Sequence, residues 1–380
     1  MRVLVCPTAF KGTLSAQQAT DAIAKGTREA WPSAEIRRLP LSDGGPGLLD
    51  ALRALAGGSV ERWRVRGPPG DAVEGRCLWA EDGAVAVIES ADACGLALLG
   101  GARWPLEADT RGVGELISRA VAEGASRLVV GLGGSASTDG GTGLARVFGY
   151  RFLASDGTEL PPGGGGLHRL ARIVPGARPE ASVLALADVA NPLTGPDGAA
   201  RTFSPQKGAS PAEVDRLEAG LERLAERVAE DLGVGVAQLS GAGAAGGLGA
   251  GCVAFLGAEL VSGSDWVLER TGFDRALEEA DVAVTGEGAF DGTSRAGKII
   301  GRVLERAAGA GVPVVLICGR IVAPAPEAAL AVDSGWLTRV GTGSESVIGE
   351  AGEPGELDAA GLARLVRLGL GGFRDHQRRR

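Results

Sequence analysis

Short apolar runs alternate along this chain with stretches whose apolar positions recur every three or four residues. Residues 2–6 read as a brief strand that stops at Pro7, and Ser15 stands where it can cap a helix over 16–31, with Ala19, Ile23 and Ala30 on its apolar face. Residues 35–39 predict a second strand and 47–55 a second helix, an opening that points to a parallel sheet flanked by helices. The pattern then changes. Residues 60–66, 72–80 and 84–89 predict strands separated by Gly-Pro or Asp-Gly turns, which is hairpin or meander patterning.

Helix–strand alternation resumes after that: helix 113–123, strand 126–130, helix 143–148, a flexible loop at 161–166, strand 183–187, and a long charged helix over 211–232 with Asp215, Glu218 and Glu222 expected on its outer face. The final segment predicts strand 282–285, helix 298–308, strand 312–318 and a closing helix over 357–368. The expected class is α/β with two domains. Residues 1–66 and 281–380 together complete one parallel-sheet domain, discontinuous in the chain, and 67–280 form a second, mixed α/β domain with hairpin strands and Gly-rich loops.

Composition narrows the function classes. The 380 residues carry a net charge of -8, and the one basic cluster is Arg378-Arg379-Arg380 at the terminus, so a nucleic-acid partner is not expected. No stretch reaches the ~20 apolar residues of a membrane span, and the first apolar run is too short for a secretory signal. The five cysteines are far apart, form no C-x-x-C pair and sit in or beside apolar segments, which suggests reduced core thiols in a cytoplasmic protein. Only two histidines occur, His168 and His376, which argues against a Ser-His-Asp or His-metal site.

Glycine is the outlier, at 63 residues. In open α/β sheets ligands bind beyond the carboxyl ends of strands. Five predicted strands run into small residues plus an acid or a lysine: 7–12 with Lys11, 42–45 with Asp43, 131–141 with Ser135 and Asp139, 188–195 with Asp188 and Asn191, and 286–291 with Glu287 and Asp291. Glycine-rich backbone with Ser and Thr offers donors to phosphate oxygens. Asp188 and Asp291 are carboxylates of the kind that hold Mg²⁺. Lys11, Lys207 and Lys298 stand in Gly-rich contexts and can each neutralise a moving phosphoryl group.

Residues 292–298 read G-x-x-x-x-G-K, but Ile299 replaces the hydroxyl that a P-loop uses for magnesium. The stretch reads better as one wall of a non-P-loop kinase site, with Lys298 opening a helix whose N-terminus also favours anions. Two matches to G-x-G-x-x-G/A, at 131–136 and 241–246, lack the strand–loop–helix context of a dinucleotide site. The second instead suits a Gly/Ala helix packed close to its neighbours.

Seven blocks in order carry a resemblance: PTAFKGTLSA at 7–16, LSDGGPG at 41–47, GLGGSASTDGGTG at 131–143, DVANPLTGPDGA at 188–199, PQKGA at 205–209, GAGAAGGLGAG at 241–251 and TGEGAFDGTSRAGK at 285–298. The chain resembles the bacterial glycerate kinase family of the first type over nearly its full length. The resemblance implies ATP- and Mg²⁺-dependent phosphorylation of D-glycerate, with 2-phosphoglycerate as the product and 3-phosphoglycerate the alternative. It further implies a two-domain α/β protein, monomer or homodimer, one part flavodoxin-like, with the cleft between the domains.

The implied roles fall on Lys11, Asp43, Asp188 and Lys298 for catalysis. Substrate binding falls on Gly44, Gly45, Gly134, Ser135, Thr138, Asp139 and Asn191, nucleotide binding on Lys207, Gly286, Glu287 and Gly288, and the metal on Asp188 and Asp291. The glycerate carboxylate is expected on the donors of the loop 133–138. Three positions depart from the family pattern: Thr8-Ala9 in place of an acid and Ser, Pro46 in place of Glu, and Ala289 in place of Arg. They keep two alternatives open, a kinase for a related small hydroxy acid and a non-catalytic descendant that binds one.

Overall fold

A computed structural model describes residues 1–10, 12–290, 298–321, 329–333 and 358–377. The chain divides into two units. Residues 1–43, 50–56 and those described from 264 onward make the first; residues 44–49 and 57–263 make the second.

In chain order, the buried run Val3-Leu4-Val5 forms strand β1 (Arg2–Val5). Ser15 then starts helix α1 (Ala16–Ala30) with a capping box: its hydroxyl accepts from Gln18 N at 3.2 Å while the Gln18 side chain accepts from Ser15 N at 2.9 Å. Strand β2 (Glu35–Arg38) and helix α2 (Leu48–Ala56) follow. Next come β3 (Ser59–Arg66), β4 (Ala72–Ala80), β5 (Val85–Glu89), the short α3 (Ala91–Cys94), α4 (Arg111–Ala122), β6 (Arg127–Gly131) and α5 (Thr142–Val147). The small hairpin β7 (Arg151–Leu153) and β8 (Arg172–Val174) precedes β9 (Ser182–Leu186), α6 (Ala199–Phe203), α7 (Pro211–Leu232), α8 (Ala244–Gly251) and β10 (Glu259–Val261). The chain returns to the first unit through α9 (Gly263–Arg270), α10 (Phe273–Glu278), β11 (Val282–Phe290), α11 (Ile299–Ala310), β12 (Val314–Ile321), β13 (Ala329–Asp333) and α12 (Ala359–Gln377).

The first unit's sheet has the order β13-β12-β11-β1-β2, every neighbouring pair parallel. Counted within the unit this is 2-1-3-4-5, the flavodoxin-like order, and its switch point lies between β1 and β11. Val3, Val5, Ile23, Val284, Ile317, Leu362 and Val366 share its core. Each such fully buried side chain contributes about 1.5–3 kcal/mol relative to exposure. The second unit's sheet runs β10-β9-β6-β5-β4-β3. Strands β3, β4 and β5 form an antiparallel meander, and β5, β6, β9 and β10 are mutually parallel. The architecture is thus α/β, with one parallel and one mixed sheet. All five cysteines are buried thiols. Among the described residues no helix is long and apolar enough to cross a membrane.

Three expectations are corrected. The unit boundaries fall away from 66 and 280. Strand β3 pairs along its whole length with β4, so it belongs to the second sheet. Helices α9 and α10 belong to the first unit, where Asp265 and Asp274 both pair with Arg306 of α11, at 2.9 and 2.6 Å. Strand β11 does not end at Thr285. Its pairing with β12 continues to Phe290, so Gly286, Glu287 and Gly288 are strand residues rather than loop residues. Glu218 is buried, not outward-facing. It lies in the stripe of Val214, Leu217 and Leu221, and its Oε1 accepts from Gly195 N at 2.6 Å. The closing helix is α12; Leu357, its expected first residue, lies outside the described residues.

Candidate active site

Because β5, β6, β9 and β10 are parallel, their carboxyl ends share one edge of the second sheet. The chains leaving them stay side by side: Ser90 N donates to Gly131 O at 3.0 Å, Leu132 N to Leu186 O at 3.0 Å and Ala187 N to Val261 O at 2.9 Å. The segment Gly44–Leu49 is laid onto this edge. A Cβ on Gly131 would stand 2.2 Å from the Gly44 carbonyl oxygen, and one on Gly133 would stand 3.0 Å from the Gly45 Cα. Only glycine permits so close a backbone approach. Pro46 rests against Gly134 in the same way, its Cγ 3.0 Å from that glycine's ideal Cβ position. The structure therefore brings together Gly44, Gly45, Gly134 and Ser135, which come from two distant stretches of sequence.

Lys207 belongs to this group. It ends a tight turn, Pro205–Lys207, and its side chain is buried at 2% exposure. Its Nζ donates to the Ser135 hydroxyl at 3.1 Å and to the Ser137 carbonyl at 2.5 Å. Among the described residues no carboxylate forms an ion pair with it. Burial pushes the ammonium down to about 8, against the opposing pull of Cys94 and Asp139. A left-handed stretch, Ala245 (φ 53°), Gly246 (φ 70°) and Gly247 (φ 86°), packs against this lysine. A Cβ at Gly246 would lie 2.0 Å from Ser137 O and 2.8 Å from Lys207 Nζ. Positive φ at Ala245, a non-glycine residue, costs of order 1–3 kcal/mol and is a conformation that clusters at ligand sites. The Gly/Ala block 241–251 thus packs close to its neighbours, as its sequence suggests.

Asp139, expected to bind substrate, has its carboxylate turned into the protein. It accepts from Thr110 N at 3.1 Å, Thr110 Oγ1 at 2.8 Å, Gly143 N at 2.9 Å and Gly141 N at 3.2 Å, and it is fully buried. Burial raises it above the ordinary aspartate range, and the same donors oppose that rise. Asp109, beside Thr110, is pushed up to about 6, first by burial and then by the charge of Asp139. The buried Thr138 hydroxyl meets Ser204 Oγ at 3.1 Å. Asp188 stands two residues beyond β9, half-buried, and accepts from Ser262 Oγ at 3.3 Å. Asn191 Nδ2 donates to Asp197 O at 2.7 Å and so ties its own loop.

In the first unit the switch point is occupied by the chain leaving β1. Thr8 N donates to Gly286 O at 2.9 Å, and Phe10 packs against the same glycine. A Cβ at Gly286 would meet Ile317 O of β12 at 2.0 Å, so this glycine is demanded by strand packing. Glu287 and Gly288 follow it on β11, half-buried, and Lys298 is the extended N-cap residue of α11. Asp43 ends the first unit's N-terminal segment, one residue before Gly44. Lys11 and Asp291 lie outside the described residues. Among those described, no three His, Cys, Asp or Glu side chains are grouped to hold a metal ion. A half-buried carboxylate such as Asp188 suits Mg²⁺, which takes one or two protein carboxylates and completes its shell with water and phosphate.

Sequence reasoning passed over Glu89, the last residue of β5, which is buried and accepts from Gly47 N and Leu49 N. The available signal was an acid ending an otherwise apolar run.

Each of the two α/β units presents glycine-bearing backbone at the carboxyl ends of parallel strands, the class of scaffold that takes small-molecule ligands there. Residues 3–337 match the model of the glycerate kinase family. A glycerate kinase from Bacillus subtilis (strain 168) is 41% identical over 326 residues, 84% of this chain and 85% of the relative. A glycerate 2-kinase from Escherichia coli (strain K12) is 37% identical over 326 residues, 84% of this chain and 86% of the relative. A solved structure, provisionally named glycerate kinase 2, from Salmonella typhimurium LT2 superposes with a TM-score of 0.79 at 34% identity, covering 100% of this chain and 99% of that one. The chain belongs to the glycerate kinase family, and it is a kinase.

Proposed function

We propose that this protein transfers the γ-phosphoryl group of ATP to the 2-hydroxyl of D-glycerate, giving 2-phosphoglycerate and ADP. The observation that carries the substrate assignment is Lys207: a buried ammonium whose two hydrogen-bond partners among the described residues are both neutral oxygens of the loop at 135–137. A buried cation in direct contact with no carboxylate among the described residues is costly, and an arriving anion offsets that cost. Since Nζ donates to Ser135 Oγ, the Ser135 hydroxyl proton is free to point at a ligand oxygen. The carboxylate of a small hydroxy acid fits this donor, with Gly44, Gly45 and Gly134 giving close backbone approach. Lys207 then serves the substrate loop from within the second unit, a role distinct from the nucleotide contact that the family resemblance implies.

In the reaction the substrate hydroxyl oxygen bonds to the γ-phosphorus as the bond to the β,γ-bridging oxygen breaks. Asp43 or Asp188 orients that hydroxyl and takes its proton late. Lys298, Lys11 and the α11 N-terminus stabilise charge on the transferring group, with Glu287 and Gly288 on the nucleotide side. Asp188 or Asp291 would hold Mg²⁺, which would supply charge neutralisation at the phosphates. The site of action is the cytoplasm.

A coupled ADP-release assay with D-glycerate, followed by phosphorus NMR of the product, tests this reading. A 2-phosphate ester is expected. A 3-phosphate ester overturns the choice of hydroxyl, and ADP release only with another hydroxy acid in a small panel overturns the choice of substrate. Lys298→Ala should cut turnover roughly tenfold or more; unchanged turnover removes Lys298 from the site.

A further inference from the structure

Glu89 has no part in the scheme above, yet it is one of the few buried carboxylates of the second unit, at 2% exposure. Its Oε2 accepts from Gly47 N at 3.1 Å and its Oε1 from Leu49 N at 2.8 Å. These amides belong to the entry of α2, where helix geometry leaves the first N–H groups without intrahelical partners. Two charged groups face the carboxylate. Arg76 of β4 comes within 3.7 Å of Oε2, but its guanidinium is engaged by Asp92 of α3, at 2.8 and 3.2 Å. Burial, then the charge of Asp92, pushes Glu89 up to about 7, while the two amides and Arg76 oppose.

The segment that Glu89 grips is anchored by the side chains of Pro46, Leu48 and Leu49 but not by its glycines. Gly44, Gly45 and Gly47 have no side chains with which to dock, and Gly47, at φ 98°, adopts a backbone conformation open chiefly to glycine. The same segment lies directly on Gly131, Gly133 and Gly134. The ordering entropy of Gly44, Gly45 and Gly47, about 1–2 kcal/mol per residue, is met by no side chain of their own and falls to backbone contacts.

We propose that Glu89 is a positioning residue that clamps the Gly44–Leu49 segment onto the 131–135 loop, so that the hydroxy-acid end of the site is assembled before substrate arrives. The proposal rests on the function proposed above for the choice of substrate only. Two measurements on the full chain test it. Hydrogen exchange followed by mass spectrometry reads the amides of residues 44–50 directly. Glu89→Ala, which removes both acceptors, should speed exchange there tenfold or more; Glu89→Gln, which keeps one carbonyl oxygen, should fall between it and the parent. Steady-state kinetics should show KM for the hydroxy acid raised about tenfold in Glu89→Ala and partly restored in Glu89→Gln, with KM for ATP within twofold of the parent.

Unchanged local exchange in both variants overturns the clamp. Faster local exchange with an unmoved KM for the hydroxy acid, or a matching rise in both KM values with faster exchange throughout the second unit, overturns the positioning role. Should Glu89→Ala fail to fold, Glu89→Gln carries both measurements. Inactivity of the parent toward D-glycerate overturns the substrate assignment alone. Exchange still reads the clamp in that case, and the best acid of the panel supplies the KM.

Discussion

The two halves of the loop after β6 bury charge in opposite ways. In the second half, Asp139 is surrounded by four donors from Thr110, Gly141 and Gly143, and every lone pair that matters is used inside the protein. Under the first half, Lys207 has two neutral acceptors and no carboxylate ion pair among the described residues. A saturated buried charge fixes a shape. A buried charge with capacity to spare awaits a ligand, because its desolvation is only partly offset by what surrounds it. On the function proposed above, the contrast separates a framework carboxylate in this glycine-rich loop from a substrate-binding ammonium beneath it.

The strongest test of that contrast is Asp139→Ala. It strands four buried donors and should lower the unfolding free energy by about 3–5 kcal/mol, read by urea denaturation. A stable variant that has lost only substrate affinity would return Asp139 to the ligand.

Lys207→Met should do the reverse. Removing a buried, incompletely compensated cation should leave the free protein as stable at pH 7 or up to about 3 kcal/mol more so, since the ammonium is depressed from 10.5 to about 8. KM for the hydroxy acid should meanwhile rise about 10–100-fold, the loss expected for a charge-assisted contact. The sign of the pH effect follows. The folded-state pKa lies below the unfolded one, so the stability cost is fully present below pH 8 and is relieved as pH climbs from 8 toward 10.5. Substrate affinity must move the other way, weakening above pH 8 as the ammonium is lost. In the Met variant KM should be flat across that range.

Ser135→Ala should have the smallest effect, about fivefold in KM with little change in stability, because it deletes one neutral hydrogen-bond donor while the Ser137 carbonyl still accepts from Lys207. A loss as large as that of Lys207→Met would mean that the two act as one unit.

Much of this was legible in the sequence, for identifiable reasons. The α1 start was readable because Ser15 stands where it can cap the helix, and the structure shows Ser15 and Ser210 each building a capping box. The parallel strands were readable from their buried apolar runs, and the strand-end loops from glycines next to Ser, Asp and Lys. What escaped depended on distant partners. Strand β11 seemed to end where its apolar pattern ended, yet backbone pairing with β12 needs no apolar side chains and carries it to Phe290. Glu218 reads as a solvent-facing acid, yet it is buried and its Oε1 accepts from Gly195 N. Glu89 is addressed to amides some forty residues earlier, a separation that local periodicity does not register. Asp139 matched the family motif, and its sequence gave no sign that Thr110 would turn the carboxylate inward.

The register of β1 also bears on how the chain is made. Val3 pairs with Ile36 on one side and with Val282 on the other. The chain must leave the ribosome through residue 282 of its 380 before β1 acquires its second neighbour, whereas all the strands of the other sheet, residues 59–261, have emerged by then. Synthesis from the N-terminus therefore lets the inserted unit fold first, while the opening strand waits half-paired with an edge exposed to wrong partners. Truncations before residue 282 should leave the inserted unit protease-resistant and the first 43 residues open to cleavage.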